Sequence, residues 1–148
     1  MSQPARAAAA PSLTIKRRFN APLEKVFSAW TEAEKMKHWM GPGEVFAKHI
    51  ESDARVGGRF RIVMQAPSGE EFDVSGEFRE VIPNRRLVYT WHGTLTPDQD
   101  TLVTVTFAAD GSGTLLTLTH EQFPDDAVRD AHTGGWGGAL DKLENYLA

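Results

Sequence analysis

Cysteine is absent from the chain, and that absence removes disulfides, thiolate nucleophiles and thiolate metal sites together. Such a composition suits a reducing compartment, and a cytoplasmic location is the expectation. Long apolar runs are lacking too. None approaches the roughly 20 residues that cross a bilayer as a helix, so membrane insertion is not expected. The alanine run Ala7 to Ala10 is too short and too weakly apolar for a secretory core. Residues 1–12 are therefore read as a disordered leader. Charge of one sign is scarce as well: 16 Lys and Arg against 20 Asp and Glu leave a net charge of −4. That balance gives no bulk attraction for nucleic acid or an anionic membrane.

Catalytic signatures are missing in the same way. No Gly-x-Ser-x-Gly elbow occurs, and Ser112 between glycines belongs to a hairpin turn. His120-Glu121 begins like a zinc-protease helix motif, but Pro124 stands where the second histidine belongs. No metal site and no cofactor are expected, and no catalytic residue is assigned. The run Gly134-Gly135-Trp136-Gly137-Gly138 follows no strand and lacks the last glycine of a dinucleotide fingerprint, so it reads as helix packing.

What is present is one domain's worth of patterned sequence. With 148 residues and 41% hydrophobic content, the chain can bury roughly 70% of its unfolded surface in a single core. Leu13 to Asn20 reads as a first strand, and Asn20-Ala21-Pro22 opens a helix carrying Val26, Phe27 and Trp30. Thr31 with Glu34 forms a capping-box pattern for a second short helix bearing Met36 and Trp39, ended by Gly41-Pro42-Gly43. Strands follow. Glu44 to Ala54 leads to a Gly57-Gly58 turn, then Arg59 to Gln65 alternates with Phe60, Ile62 and Met64 on one face. Glu71 to Ile82 puts Phe72, Val74, Gly76 and Phe78 on one face, Pro83-Asn84 turns the chain into Leu87 to His92, and Thr94 to Asp100 reads as a polar loop. Leu102 to Ala108 and Gly113 to Glu121 pair around Asp110-Gly111.

After Pro124 the period changes to helical: Val128, His132, Trp136, Leu140, Leu143 and Leu147 share a stripe, with Ala139 and Tyr146 close to it. The predicted helix runs from about Asp125 to Tyr146. Its four glycines each cost roughly 1 kcal/mol relative to alanine. Close approach of helix and sheet, with Trp136 filling the gap, is the expected compensation.

The order of these elements, together with Asn20-Ala21-Pro22-Leu23-Glu24-Lys25-Val26-Phe27, Val56-Gly57-Gly58-Arg59-Phe60, Gly76-Glu77-Phe78, Pro83-Asn84-Arg85-Arg86-Leu87, the Gly113 to His120 strand and Gly135-Trp136, resembles the START-like superfamily. Within it, the set is similar to the bacterial branch homologous to the C-terminal domain of the activator of heat-shock protein 90 ATPase. The resemblance spans about Leu13 to Ala148. It implies an α+β helix-grip fold over residues 13–148: a curved antiparallel sheet of about seven strands around a long C-terminal helix, with two short helices after the first strand. It also implies a cavity between sheet and helix. The eukaryotic activator carries a separate chaperone-binding domain, for which this length leaves no room beside the helix-grip domain.

On strand parity the concave face carries Phe60, Ile62, Met64, Phe78, Leu87, Tyr89, Trp91, Val103, Val105, Phe107, Leu116 and Leu118. His120 shares their parity, and His132 and Trp136 lie one turn apart on the helix. Trp39, Phe60, Ile62, Met64, Phe78, Tyr89, Trp91, Val105, Phe107, Leu118, His120, His132 and Trp136 are thus the candidate ligand contacts, the two histidines acting as polar anchors in an apolar pocket. The competing reading makes both histidines satisfied core residues. Arg59, Arg61 and Glu77 have the opposite parity and are expected on the wet face as cross-strand charge pairs. Three functions stay open: binding of a small apolar or amphipathic molecule, an enzyme of the cyclase or hydrolase kind with a histidine base, and a co-chaperone or other interaction module. Pairing of two copies through an edge strand also stays open.

Overall fold

The computed structural model describes residues 10–148. Residues 1–9 of the segment expected to be a leader lie outside the described residues. The carbonyl of Pro11 accepts from the Phe123 amide, and that of Ser12 from the Arg129 guanidinium.

Strand β1 (Leu13–Phe19) precedes helices α1 (Leu23–Thr31) and α2 (Ala33–Met36). Strands β2 (Phe46–Ser52), β3 (Arg59–Gln65), β4 (Glu71–Ile82), β5 (Arg86–Gly93), β6 (Thr101–Asp110) and β7 (Gly113–Glu121) follow, and helix α3 (Asp126–Leu147) closes the chain. The strands form one seven-stranded antiparallel sheet in the order β1-β7-β6-β5-β4-β3-β2. All sequential neighbours from β2 to β7 pair directly, and β1 crosses to the far edge beside β7. This is the helix-grip arrangement that the sequence pattern implied.

Alternation explains which face is buried. On β3, Phe60, Ile62 and Met64 point inward while Arg59 and Arg61 stay wet, and on β6, Val103, Val105 and Phe107 alternate with partly exposed threonines. The sheet bends at two irregularities, between Ala47 and His49 on β2 and between Phe78 and Glu80 on β4. Gly76 permits a close approach: a Cβ there would lie 1.9 Å from the Thr90 carbonyl oxygen and 2.6 Å from the Phe60 ring. Asn84, at φ 63°, takes the left-handed position of the β4–β5 turn, a role that asparagine tolerates.

The outer face is charged as its parity predicted. Arg61 grips Asp73 with two hydrogen bonds of 3.2 and 2.8 Å, and Arg79–Glu77, Arg86–Glu80 and Lys48–Glu71 add further pairs. Beside Arg61 the Asp73 carboxyl is held below its ordinary range.

Two details of the helices differ from the sequence expectation. Thr31 does not cap α2. It ends α1, and its hydroxyl donates to the Phe27 carbonyl at 3.1 Å, so Glu32 becomes the residue before α2. Trp39 lies beyond the end of α2, where its indole N–H donates to the Ala29 carbonyl at 2.9 Å and ties the turn to α1. Helix α3 has an N-cap as regular as any: the Asp125 carboxylate accepts from the Val128 amide at 2.9 Å. Tyr146 is off the buried stripe, 36% exposed, and stacks on His38 at 4.8 Å.

Helix α3 meets the sheet unevenly. Leu140, Leu143 and Leu147 are buried in the main core with Phe19, Val26, Trp30 and Leu116. The glycines do not repay their cost by close approach to the sheet. Gly134, Gly135 and Gly137 have nothing within 4 Å of where a Cβ would sit, and Gly138 alone is pressed, with its would-be Cβ 2.7 Å from Pro42 Cβ. These contrasts predict opposite signs for two small substitutions. Gly76→Ala should lower the urea unfolding free energy by at least about 2 kcal/mol through overpacking. Gly137→Ala should raise it by about 0.5–1 kcal/mol through helix propensity alone.

Candidate functional site: a cavity under the first half of the C-terminal helix

Because the glycine-rich half of α3 lacks side chains, a space of about 390 Å³ remains between it and the sheet. That size falls within the range of small-molecule sites. The buried wall is made by Met64 on β3, Val74 on β4, Trp91 on β5, and His132, Trp136 and Ala139 on α3. Met40, Gly41, Pro42 and Val45 form one side, from the loop after α2. Exposed residues ring the mouth: Thr94 and Leu95 after β5, and Asp130, Ala131 and Gly134 on α3.

The 41–45 loop is fastened to α3. Lys142 donates from Nζ to the carbonyls of Gly43 at 3.3 Å and Val45 at 2.9 Å, satisfying two groups that a glycine-rich turn leaves open. Burial draws the Lys142 ammonium below its ordinary pKa. Gly41 is required at its position, since φ is 102° and a Cβ would lie 2.8 Å from the Val45 carbonyl oxygen.

Below the cavity lies a cluster of rings. His120 is fully buried, 4.3 Å from Phe123 and 5.1 Å from His132 between ring centroids. Its nitrogens are both occupied. The Trp136 indole N–H donates to Nδ1 at 3.0 Å, so the ring proton resides on Nε2, which lies 2.7 Å from the Thr101 hydroxyl oxygen. That hydroxyl in turn donates to the Trp91 carbonyl at 2.9 Å. The chain Trp136–His120–Thr101–Trp91 thus joins α3 to β7, β6 and β5 through satisfied bonds. Burial, with a smaller contribution from His132, pushes the His120 pKa down to about 2.

His132 differs in one respect. Its Nδ1 lies 2.8 Å from the Val128 carbonyl, which can only accept, so Nδ1 carries the proton and Nε2 is left as an acceptor. Burial lowers its pKa, partly offset by the Val128 bond.

Among the candidate contacts read from sequence, Met64, Trp91, His132 and Trp136 line this cavity. Trp39, Phe60, Ile62, Phe78, Tyr89, Val105, Phe107, Leu118 and His120 are placed elsewhere, in the filled core. Trp30, from α1, accounts for much of that filling: it packs against Trp39 at 4.6 Å, against Trp136 at 6.0 Å, and donates to the Tyr89 hydroxyl at 3.1 Å. Burial accordingly pushes the Tyr89 phenol up. Sequence reasoning missed the 40–45 loop, the Gly93–Leu95 turn and the glycines. Phe72 and Val74 had the correct parity, and the glycine run was the one signal pointing to open space.

The family model described as Activator of Hsp90 ATPase homolog 1-like protein matches residues 20–148. No curated protein matches the chain. Solved structures do. Protein CV1439 from Chromobacterium violaceum superposes with a TM-score of 0.84 at 28% identity, over 92% of this chain and 96% of that one. The AHSA1 protein from Silicibacter pomeroyi gives 0.82 at 26% identity, over 93% and 97%. CalU16 from Micromonospora echinospora gives 0.72 at 29% identity, over 94% and 77%.

The histidine cluster makes stability depend on pH. Burial holds both rings below the ordinary histidine pKa in the folded protein, and both become protonated when unfolded below about pH 6.5. The unfolded state therefore binds more protons, and stability falls as pH falls below that value. For His120 the loss continues down to about pH 2. Between pH 6.5 and 5 His120 alone should lower the unfolding free energy by about 1.5–2 kcal/mol, with His132 adding in the same direction, and His120→Gln should flatten the slope. Urea titrations at both pH values check this, and an unchanged wild-type value would contradict it.

Proposed function

We infer that this chain, which belongs to the Activator of Hsp90 ATPase homolog 1-like family, binds a small amphipathic molecule in the cavity under the first half of α3. One observation carries the reading: the helix gives up propensity at Gly134 and Gly135, both cavity-lining, and gets no packing in return. Open space at that location is what those residues supply. An apolar wall with a few polar groups is the usual make-up of a ligand pocket.

The chemistry of the histidines supports binding over turnover. A general base works best with a pKa near the working pH. Burial draws His132 down and away from that range, and His120 has both nitrogens engaged within the protein. The outer sheet face, laced with ion pairs such as Arg61–Asp73 and Arg86–Glu80, is suited to solvent more than to an apolar partner surface.

A thermal-shift screen with apolar and amphipathic small molecules tests the reading. A ligand at about 100 times its Kd adds about 2.7 kcal/mol, a rise of roughly 5–10 °C for a domain of this size. Gly135→Leu, which projects a side chain into the cavity, should remain folded and lose the shift. Equal shifts in the variant, or none with any compound in the wild type, would contradict the assignment.

A further inference from the structure

Three parts of the chain enclose the cavity, and they are held in different ways. Met64, Val74 and Trp91 stand on β3, β4 and β5, each of which is paired to a strand on either side. His132, Trp136 and Ala139 stand on α3, one continuous helix tied to β7 by the bond from Trp136 to His120. The third part, Met40, Gly41, Pro42 and Val45, belongs to no helix or strand. Met40 is buried in the core at one end, and β2 begins at Phe46 at the other. Between them, among the described residues, the backbone pairs with backbone once. That bond runs from the Val45 amide to the Pro42 carbonyl at 3.0 Å and closes the loop on itself.

Lys142 supplies what the backbone does not. It is the only side chain among the described residues that hydrogen-bonds to residues 41–45, reaching the Gly43 carbonyl at 3.3 Å and the Val45 carbonyl at 2.9 Å. Burial alone moves the pKa of its ammonium, downward, with no carboxylate drawing it back. Desolvating a cation is unfavourable, and these two carbonyls are the partners that offset it. Beside them Pro42 lies on α3, where a Cβ on Gly138 would be 2.7 Å from Pro42 Cβ. Glycines flank that proline, Gly41 at φ 102° and Gly43 at φ 55°, and glycine has both halves of φ space open to it. A loop so built stays where Lys142 holds it and has other positions within reach once released.

Lys142 does not itself line the cavity. Its effect on a ligand is through the shape of the site, which makes it a positioning residue. Resting on the cavity-binding reading above, we propose that Lys142 sets the width of the site: by holding the 41–45 loop against α3, it fixes the bulk of the apolar group that the cavity accepts.

Cyclic alcohols of graded ring size (cyclohexanol, cyclooctanol, cyclodecanol and cyclododecanol) read that width by calorimetry at neutral pH. Affinity for the wild type should rise by about fourfold for each methylene newly buried, then fall at the first ring too bulky for the space. In Lys142→Met, which keeps an unbranched side chain and loses its donors, the fall should come at a larger ring. Lys142→Arg, whose guanidinium still donates, should restore the wild-type order. A residue that only stabilised the fold would weaken all four alcohols alike and leave the preferred ring unchanged.

The same preferred ring in Lys142→Met, or a wild-type affinity that climbs through the largest ring, would overturn the assignment and leave the cavity reading standing. Failure of the wild type to bind any of the four would remove both. If Lys142→Met does not fold, amide exchange in the wild type decides. The Val45 amide should exchange through a local opening, faster than the paired amides of β3 and β4, and should slow when cyclooctanol is bound. Exchange of Val45 only as slowly as those strands would overturn the proposal.

Discussion

The contact between α3 and the concave sheet governs the rest of this molecule, because the helix has two textures along its length. Its C-terminal half presents Leu140, Leu143 and Leu147, which are buried to within 3% exposure and close the core. Its N-terminal half presents glycine around a single tryptophan. A helix uniform in leucine would fill the same groove, and one uniform in glycine would not hold its shape. Dividing the two roles by position lets one element both seal the fold and leave space within it.

The ring cluster below that space explains how the weak half of the helix is kept in place. Trp136 stands in the middle of the glycine run and donates to His120, which is linked through Thr101 to the backbone of β5. That chain fixes the height of α3 over the sheet where apolar packing is thinnest. Lys142 acts similarly on the other side, holding the 41–45 loop by two carbonyls. The cavity is framed by directed bonds, whereas the filled core is held by area. Polar networks of this kind specify one geometry because their groups have no comparable alternative partners.

The extent to which this was legible in sequence follows from what periodicity encodes. Parity along β3 to β7 correctly separated Phe60, Ile62 and Val105 from Arg59, Arg61, Thr104 and Thr106, and helical spacing placed His132 and Trp136 on the buried stripe. Alternation reports which face a residue occupies, but not where along the groove the helix crosses or what else enters it. Trp30, Trp39 and Phe27 from the N-terminal segment pack into the groove and turn Phe107, Tyr89 and Leu118 into filled core. The loop at Gly41–Val45 reaches the cavity through tertiary contacts with no periodic trace. The glycine run was visible, yet composition alone does not distinguish tight contact from open space. Gly138 against Pro42 is the former, and Gly135 is the latter.

The most direct measurement is a crystal structure of the protein under xenon pressure, since xenon occupies apolar cavities without needing a specific ligand. This account predicts an anomalous peak enclosed by Met64, Val74, Trp91 and Ala139, beneath the glycine half of α3. Its loss in Gly135→Leu would tie the space to that residue. A helix lying directly on the sheet, with side chains filling the gap and no xenon there, would contradict it.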